Sequence, residues 1–201
     1  MERPFNCDAV VQQECARLLF RYGIQQIVET GTYKGVTTEF LASFGLPIHT
    51  VEVVPETYES TKDRLAGKKN ITCHLGNSAE VLAALLPGLP KVPTLFYADA
   101  HWQTYWPLRD ELKVITKEFP GALAVIIIDD FQVPGRNYQF DSYLEQACNV
   151  EYLQDVLPTQ GTHYYNDRSL RHHIPVGKLY CVPDAGDGLF ATVNGVRYSN
   201  I

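Results

Sequence analysis

No apolar run in the 201-residue sequence approaches the eighteen or so residues that a membrane span needs. The opening stretch "MERPFNCDAV" lacks the basic-then-apolar pattern of a secretory leader. Five cysteines, Cys7, Cys15, Cys73, Cys148 and Cys181, are scattered without any C-x-x-C spacing, which argues for reduced thiols and against a zinc site. Basic charge is scarce as well. The formal net charge is −6, and the densest basic stretches, Lys68-Lys69 and Arg168 to His173, are too short to make a nucleic-acid or anionic-membrane surface. These absences lead to the expectation of a cytoplasmic protein with no nucleic-acid and no membrane partner. What remains is ordinary: 45% apolar and 20% charged residues, in a chain long enough to bury a full core as one domain over 1–201.

Along the chain, strand and helix patterns alternate. Val11, Cys15, Leu18 and Tyr22 recur at helical spacing within an N-terminal unit over 1–23, closed by Gly23. "IQQIVET" reads as a short buried strand, and "GVTTEFLASFG" as a helix ended by Gly45. "IHTVEVV" is a second strand; Pro55 suits the first turn of the helix after it. "NITCHLG" is a third strand, and Asn77 or Ser78 can cap a helix whose apolar face is Val81, Leu82, Leu85 and Leu86. "TLFYADA" is a fourth strand. A helix follows with Leu108, Leu112, Ile115 and Phe119 on one face, then "LAVIIIDD", continuously apolar like a central parallel strand covered on both sides. Five such alternations predict an α/β class, a doubly wound, mostly parallel sheet. After Asp130 the regularity stops. One helix is expected over 142–156, then a polar loop rich in tyrosine and histidine. "KLYCVP" and "GLFATVNG" complete the chain as a C-terminal antiparallel strand pair.

In an open α/β sheet, ligands bind beyond the carboxyl ends of the strands. The stretch "IVETGTYKGVTTEF" puts Glu29, Gly31 and Gly35 at such an end. A dinucleotide fingerprint requires G-x-G-x-x-G, whereas Thr32, Tyr33 and Lys34 fill the space between these glycines, so a pyrophosphate is poorly served. The pattern E-x-G-x-Y-x-G resembles motif I of class I S-adenosylmethionine-dependent methyltransferases, with most likeness to the catechol O-methyltransferase-like group. Glu52 at the end of the second strand and "LGNSAEVL" after the third follow in that family's order, so the resemblance spans roughly residues 24–131.

The resemblance implies a seven-stranded Rossmann-like methyltransferase fold that binds S-adenosylmethionine. It implies that Glu29 orders the methionine end, Gly31 and Gly35 allow close approach, and Tyr33 and Thr37 line the methionyl group with Thr32 beside them. Glu52, next to Val53, would take the ribose hydroxyls, and Asn77 and Ser78 would bound adenine.

Two further strands end in acids, in "FYADAHW" and "IIIDDF". Asp99, Asp129 and Asp130 are hard oxygen donors that suit Mg²⁺ or another divalent cation, and in the resembled group acids at these ends hold such a metal. That group also has D-x-x-K, with lysine taking the acceptor's proton. Here Asp99-Ala100-His101-Trp102-Gln103 offers no lysine, so Asp99 and His101 become the catalytic candidates, with His101 as general base or as a packing residue beside the cofactor.

The function expected is methyl transfer to a hydroxyl of a small-molecule acceptor, assisted by a metal or not, in a monomer or homodimer. The alternatives are a metal-dependent hydroxylase or oxidoreductase using His101 and the acids as iron ligands, and a non-catalytic cofactor-binding module. Acceptor recognition is assigned to a substrate-side insertion over 131–178, including Tyr138, Tyr143, Tyr164 and Tyr165. His172-His173 lie on this same side.

Overall fold

The computed structural model describes residues 4–101, 105–166 and 175–183. A short turn with Phe5, Asn6 and Cys7 at positive φ precedes α1 (Ala9–Arg21), whose N-cap Asp8 accepts hydrogen bonds from the backbone N–H of Val10 and Val11. Then come β1 (Gln26–Thr30), α2 (Val36–Ala42), β2 (Ile48–Glu52), α3 (Pro55–Leu65), β3 (Ile71–Leu75), α4 (Ser78–Leu85), β4 (Thr94–Ala98), α5 (Leu108–Glu118) and β5 (Ala124–Ile128). Pro55 occupies the first turn of α3, and Asn77, rather than Ser78, caps α4 by accepting from the Glu80 N–H. The rest comprises the two-residue strands β6 (Ser142–Tyr143) and β7 (Gln146–Ala147), α6 (Val150–Leu153), β8 (Thr162–Tyr165) and β9 (Leu179–Val182).

Seven strands form one sheet in the order β3-β2-β1-β4-β5-β9-β8, parallel from β3 to β5, with β9 antiparallel to β5 and to β8. This is the expected doubly wound, mostly parallel sheet. Among the described residues "KLYCVP" pairs antiparallel with β5 on one side and with β8 on the other; "GLFATVNG" lies outside them. The strand alternation sorts the core into two layers. Phe96, Ala98, Ile126 and Ile128 face α4 and α5, against Leu82, Leu86, Leu112 and Phe119. Leu95, Tyr97, Val125 and Ile127 face α1 and α2, against Val11, Cys15, Leu18 and Leu41. Each large aliphatic side chain so buried contributes about 1.5–3 kcal/mol. Covering on both faces explains why β1, β4 and β5 are buried at every position and why β5 reads as an unbroken apolar run.

Two expectations fail between β5 and β9. Residues 142–156 do not form one helix. The β6–β7 hairpin turns through Leu144 and Glu145, both at positive φ, and α6 begins only at its N-cap Asn149, which accepts from the Tyr152 N–H at 2.9 Å. Nonlocal backbone bonds decide this: Asp141 N–H donates to Asp130 O, Gln132 N–H to Cys148 O, and Cys148 N–H to Asp141 O. They tie the segment back onto the end of β5, and a continuous helix could not make them. The stretch read as a polar loop also contains a strand, β8, because the Tyr164 ring is buried against Tyr180 of β9, with centroids 4.9 Å apart. His172-His173 lie outside the described residues, as does Trp102.

Candidate functional site

Parallel pairing brings the carboxyl ends of β1, β2, β4 and β5 to one edge of the sheet, and a cavity of about 1040 Å³ opens there. That is at the top of the range for a drug-sized ligand, about 300–1,000 Å³, and gives room for two reactants side by side.

The glycine turn forms part of the cavity wall. Gly31 has φ +82°, and a Cβ on it would sit 2.2 Å from Asp99 O and 2.6 Å from Asp99 C. What approaches so closely is the protein's own backbone at the end of β4. Gly35, at φ +70°, similarly meets Thr61 and Leu65 of α3 and does not reach the cavity. Glycine at these positions therefore lets β1 and β4 converge and lets α3 cover the turn. Tyr33 is 62% exposed along the cavity wall.

Glu29 does not line the cavity. It is buried beneath the turn, accepting hydrogen bonds from Thr38 Oγ1 at 2.5 Å and Thr50 Oγ1 at 2.7 Å, while Thr50 pairs with Thr32 at 2.6 Å. Burial pushes its pKa up to about 7 against the lowering effect of both threonines. Thr37 accepts from the Phe5 N–H, and neither Thr32 nor Thr37 reaches the cavity.

Glu52 does line it. Oε1 accepts from the N–H groups of Val53 (3.0 Å) and Val54 (2.9 Å), and Oε2 from that of Tyr33 (2.8 Å). A carboxylate offers about four acceptor sites, so three are occupied by backbone and roughly one is left for a ligand. The carboxylate is thereby fixed in orientation before anything binds. Val53, Asn77 and Ser78 continue the same wall, and Tyr105 donates to Asn77 Oδ1 at 3.2 Å.

The cavity wall also carries Asp99, His101, Asp130 and Asp141. His101 Nε2 lies 3.3 Å from Asp130 Oδ2 and 3.1 Å from Asp141 Oδ2, and its Nδ1 is 3.2 Å from Asp99 O. The hydrogen bond to Asp130, helped by the charges of Asp99 and Asp141, raises the imidazole pKa to about 10. The surrounding carboxylates thus favour the imidazolium form of His101. Desolvation, then the charges of Asp129 and Asp130, hold the Asp99 carboxyl well above the ordinary carboxylate range. Burial and Asp130 push Asp141 to about 6. One ligand atom from each of Asp99, His101 and Asp130 falls within 4.8 Å of the others, a grouping that could hold a cation. Asp129, the third acid expected in such a set, is occupied elsewhere. Its Oδ1 accepts from Lys178 Nζ and from the Asp130 N–H, its Oδ2 from Tyr97 OH, and it does not line the cavity.

Sequence reasoning missed Asp141 and Lys178. Asp141 is a single acid in an irregular segment, and Lys178 immediately precedes a strand whose neighbours only the fold reveals, so neither carried a usable signal. Of the four tyrosines assigned to acceptor recognition, only Tyr138 lines the cavity, beside Gln139 and Phe140. Tyr164 instead donates to Glu14 at 2.5 Å, Tyr165 stacks on Phe131, and Tyr143 packs against the core. Trp106 is buried and stacks on Tyr152, with centroids 5.0 Å apart.

Among the described residues no helix is long and apolar enough to cross a membrane. No family model matches the chain, and no curated protein matches its sequence significantly. Solved structures do match in fold. The O-methyltransferase TomG from Streptomyces achromogenes, involved in tomaymycin synthesis and in complex with S-adenosylmethionine, is 20% identical, with 89% of this chain and 82% of that one covered and a TM-score of 0.61. An O-methyltransferase from Bacillus cereus in complex with S-adenosylhomocysteine is 15% identical over 89% and 83%, with a TM-score of 0.66. An rRNA methylase from Streptococcus thermophilus is 16% identical over 91% and 98%, with a TM-score of 0.57. Identities this low carry the architecture and not the chemistry. The fold of this chain is therefore the Rossmann-like fold of the class I S-adenosylmethionine-dependent methyltransferases, O-methyltransferases prominent among them.

Proposed function

We propose that the protein transfers the methyl group of S-adenosylmethionine to a hydroxyl of a small-molecule acceptor. The observation that carries this reading is that one cavity is lined by two chemically different groups of residues. One has a carboxylate, Glu52, pre-oriented by three backbone N–H groups; the other has His101 set among Asp99, Asp130 and Asp141. A ribose hydroxyl donates to Glu52, and adenine lies along Asn77 and Ser78. The acceptor oxygen attacks the sulfonium methyl in line: a C–O bond forms, the C–S bond breaks with its electron pair left on sulfur, and the hydroxyl proton departs. Aligning the two reactants supplies most of the acceleration in such a displacement.

Removing the proton is the remaining task. The carboxylates around His101 favour its imidazolium form, so its base form gains as pH rises. With His101 deprotonated, Asp99, His101 and Asp130 would fit a divalent cation, His101 then being a ligand and not the base. An imidazole among the ligands suits a transition-metal or zinc ion better than Mg²⁺. When bound, such an ion would offset the carboxylates and acidify a coordinated hydroxyl. A metal-dependent hydroxylase would share the acid–histidine cluster but would have no use for a ribose-facing Glu52.

The test is transfer of labelled methyl from S-adenosylmethionine to a panel of phenols, alcohols and amines, with Mn²⁺ and with chelator. Label on hydroxyl acceptors supports the proposal. Label on amines alone, or metal-dependent oxidation without label, contradicts it.

A further inference from the structure

Lys178 is almost wholly buried, 1% exposed, and its ammonium bonds the equally buried carboxylate of Asp129. A buried ion pair is a poor device for stability, since its desolvation offsets most of the attraction and an apolar pair of the same shape often serves as well. Its surroundings point to orientation instead. Asp129 gathers three strand ends: Tyr97 of β4 donates to Oδ2, Lys178 at the start of β9 donates to Oδ1, and the Asp129 N–H donates to Ala98 O. Oδ1 also accepts the N–H of the next residue, Asp130, at 2.7 Å. Asp130 has φ +51°, a left-handed conformation uncommon for a residue with a Cβ, though aspartate adopts it more readily than most. From that kink its carboxylate reaches His101, and its carbonyl accepts the Asp141 N–H at 2.8 Å. Lys178 itself does not line the cavity, and its backbone N–H is held by Asn166 Oδ1 at 2.7 Å.

We propose that Lys178 is a positioning residue: by locking Asp129 it imposes the left-handed turn at Asp130, and so aims Asp130 and Asp141 at His101. Its ammonium also offsets one of the four carboxylates at this rim. The expected lysine after Asp99 is absent, and this one enters the neighbourhood from a distant strand, to act through Asp129 without touching a reactant.

The decisive variants are Lys178→Met and the isosteric neutral double Asp129→Asn with Lys178→Met, the second designed to keep the fold while abolishing the pair. The readout is the His101 imidazole signal in the NMR spectrum, identified by its loss in His101→Gln and needing neither metal nor acceptor. Both variants should shift that signal toward that of a solvated histidine with melting temperature nearly unchanged in the double. Where an acceptor is known, kcat should fall about 10²-fold, as a misplacement near 1 Å can cost, with donor affinity held. An unmoved imidazole signal in either folded variant overturns the proposal. Loss of fold in both would assign the pair to stability and overturn it too. The proposal rests on the methyltransferase reading only for its kinetic arm: failure of wild type to bind S-adenosylhomocysteine would sink that reading and leave the imidazole readout to judge Lys178.

Discussion

Replacing Gly31 by alanine should cost stability before it costs ligand binding. A Cβ there would meet Asp99 O at 2.2 Å, Asp99 C at 2.6 Å and Ala100 N at 3.0 Å, all backbone atoms that cannot rotate away. Two penalties add. An L residue at φ +82° loses roughly 1–2 kcal/mol, and overpacking against a fixed neighbour costs about 1–3 kcal/mol. The sum, about 2–5 kcal/mol, is a large part of the 5–15 kcal/mol typical of a domain. With a urea slope of about 2 kcal/mol per M, the midpoint should fall by roughly 1–2.5 M. Relief would come from β4 moving off β1, and that displaces Asp99 from the cavity rim. Affinity for S-adenosylhomocysteine should therefore fall in the same variant even where it remains folded, and valine should be worse. Urea titration followed by fluorescence, with calorimetric titration of the ligand, reads both effects. An unchanged midpoint in Gly31→Ala would mean that the close approach of turn and strand is not obligatory.

Glu52→Ala should weaken S-adenosylhomocysteine binding by about 1.5–3 kcal/mol for the one charged hydrogen bond its remaining acceptor site can make, or roughly 10- to 150-fold in Kd by calorimetry. Unchanged affinity would remove it from the ribose site. Glu29 and Glu111 are buried carboxyls raised from an ordinary 4.5 to about 7, chiefly by desolvation. Such a group holds its proton more tightly when folded. Stability should thus be highest below about pH 4.5 for these terms, fall as pH rises to about 7, and level off. The loss is about 3 kcal/mol per carboxyl at 1.36 kcal/mol per unit. Glu29→Gln should flatten part of that slope in urea titrations across pH 5–8, and an unaltered slope would contradict the assignment. Activity measured in excess chelator should climb toward pH 10 as His101 loses its proton, and His101→Ala should lower kcat at least tenfold and erase the climb. A flat profile in both proteins would place the base elsewhere.

The half of the fold up to β5 was legible because its signals are local. "AVIII" is apolar at every position since helices cover both faces of β5, and Leu108, Leu112, Ile115 and Phe119 repeat at the helical period. The stretch after Asp130 was not, because its hairpin and short helix are set by bonds such as Asp141 N–H to Asp130 O that no local pattern announces. The site divides the same way. Gly31, Tyr33, Glu52, Asn77, Ser78, Asp99, His101 and Asp130 come together because parallel strands deliver their carboxyl ends to one rim. Asp129 looked equivalent to its neighbour in sequence. Asp129, however, turns inward to Tyr97 and Lys178, while Asp130, past the end of β5 and at φ +51°, faces the cavity.

The methyl-transfer reading presupposes that the cavity binds the methyl donor. Calorimetric titration of wild-type protein with S-adenosylhomocysteine, alongside NAD as a dinucleotide control, tests this most directly. Saturable binding at one site per chain, sharply weakened in Glu52→Ala and absent for NAD, is the predicted result. A folded wild-type protein that takes up no S-adenosylhomocysteine, or that prefers NAD, would contradict it.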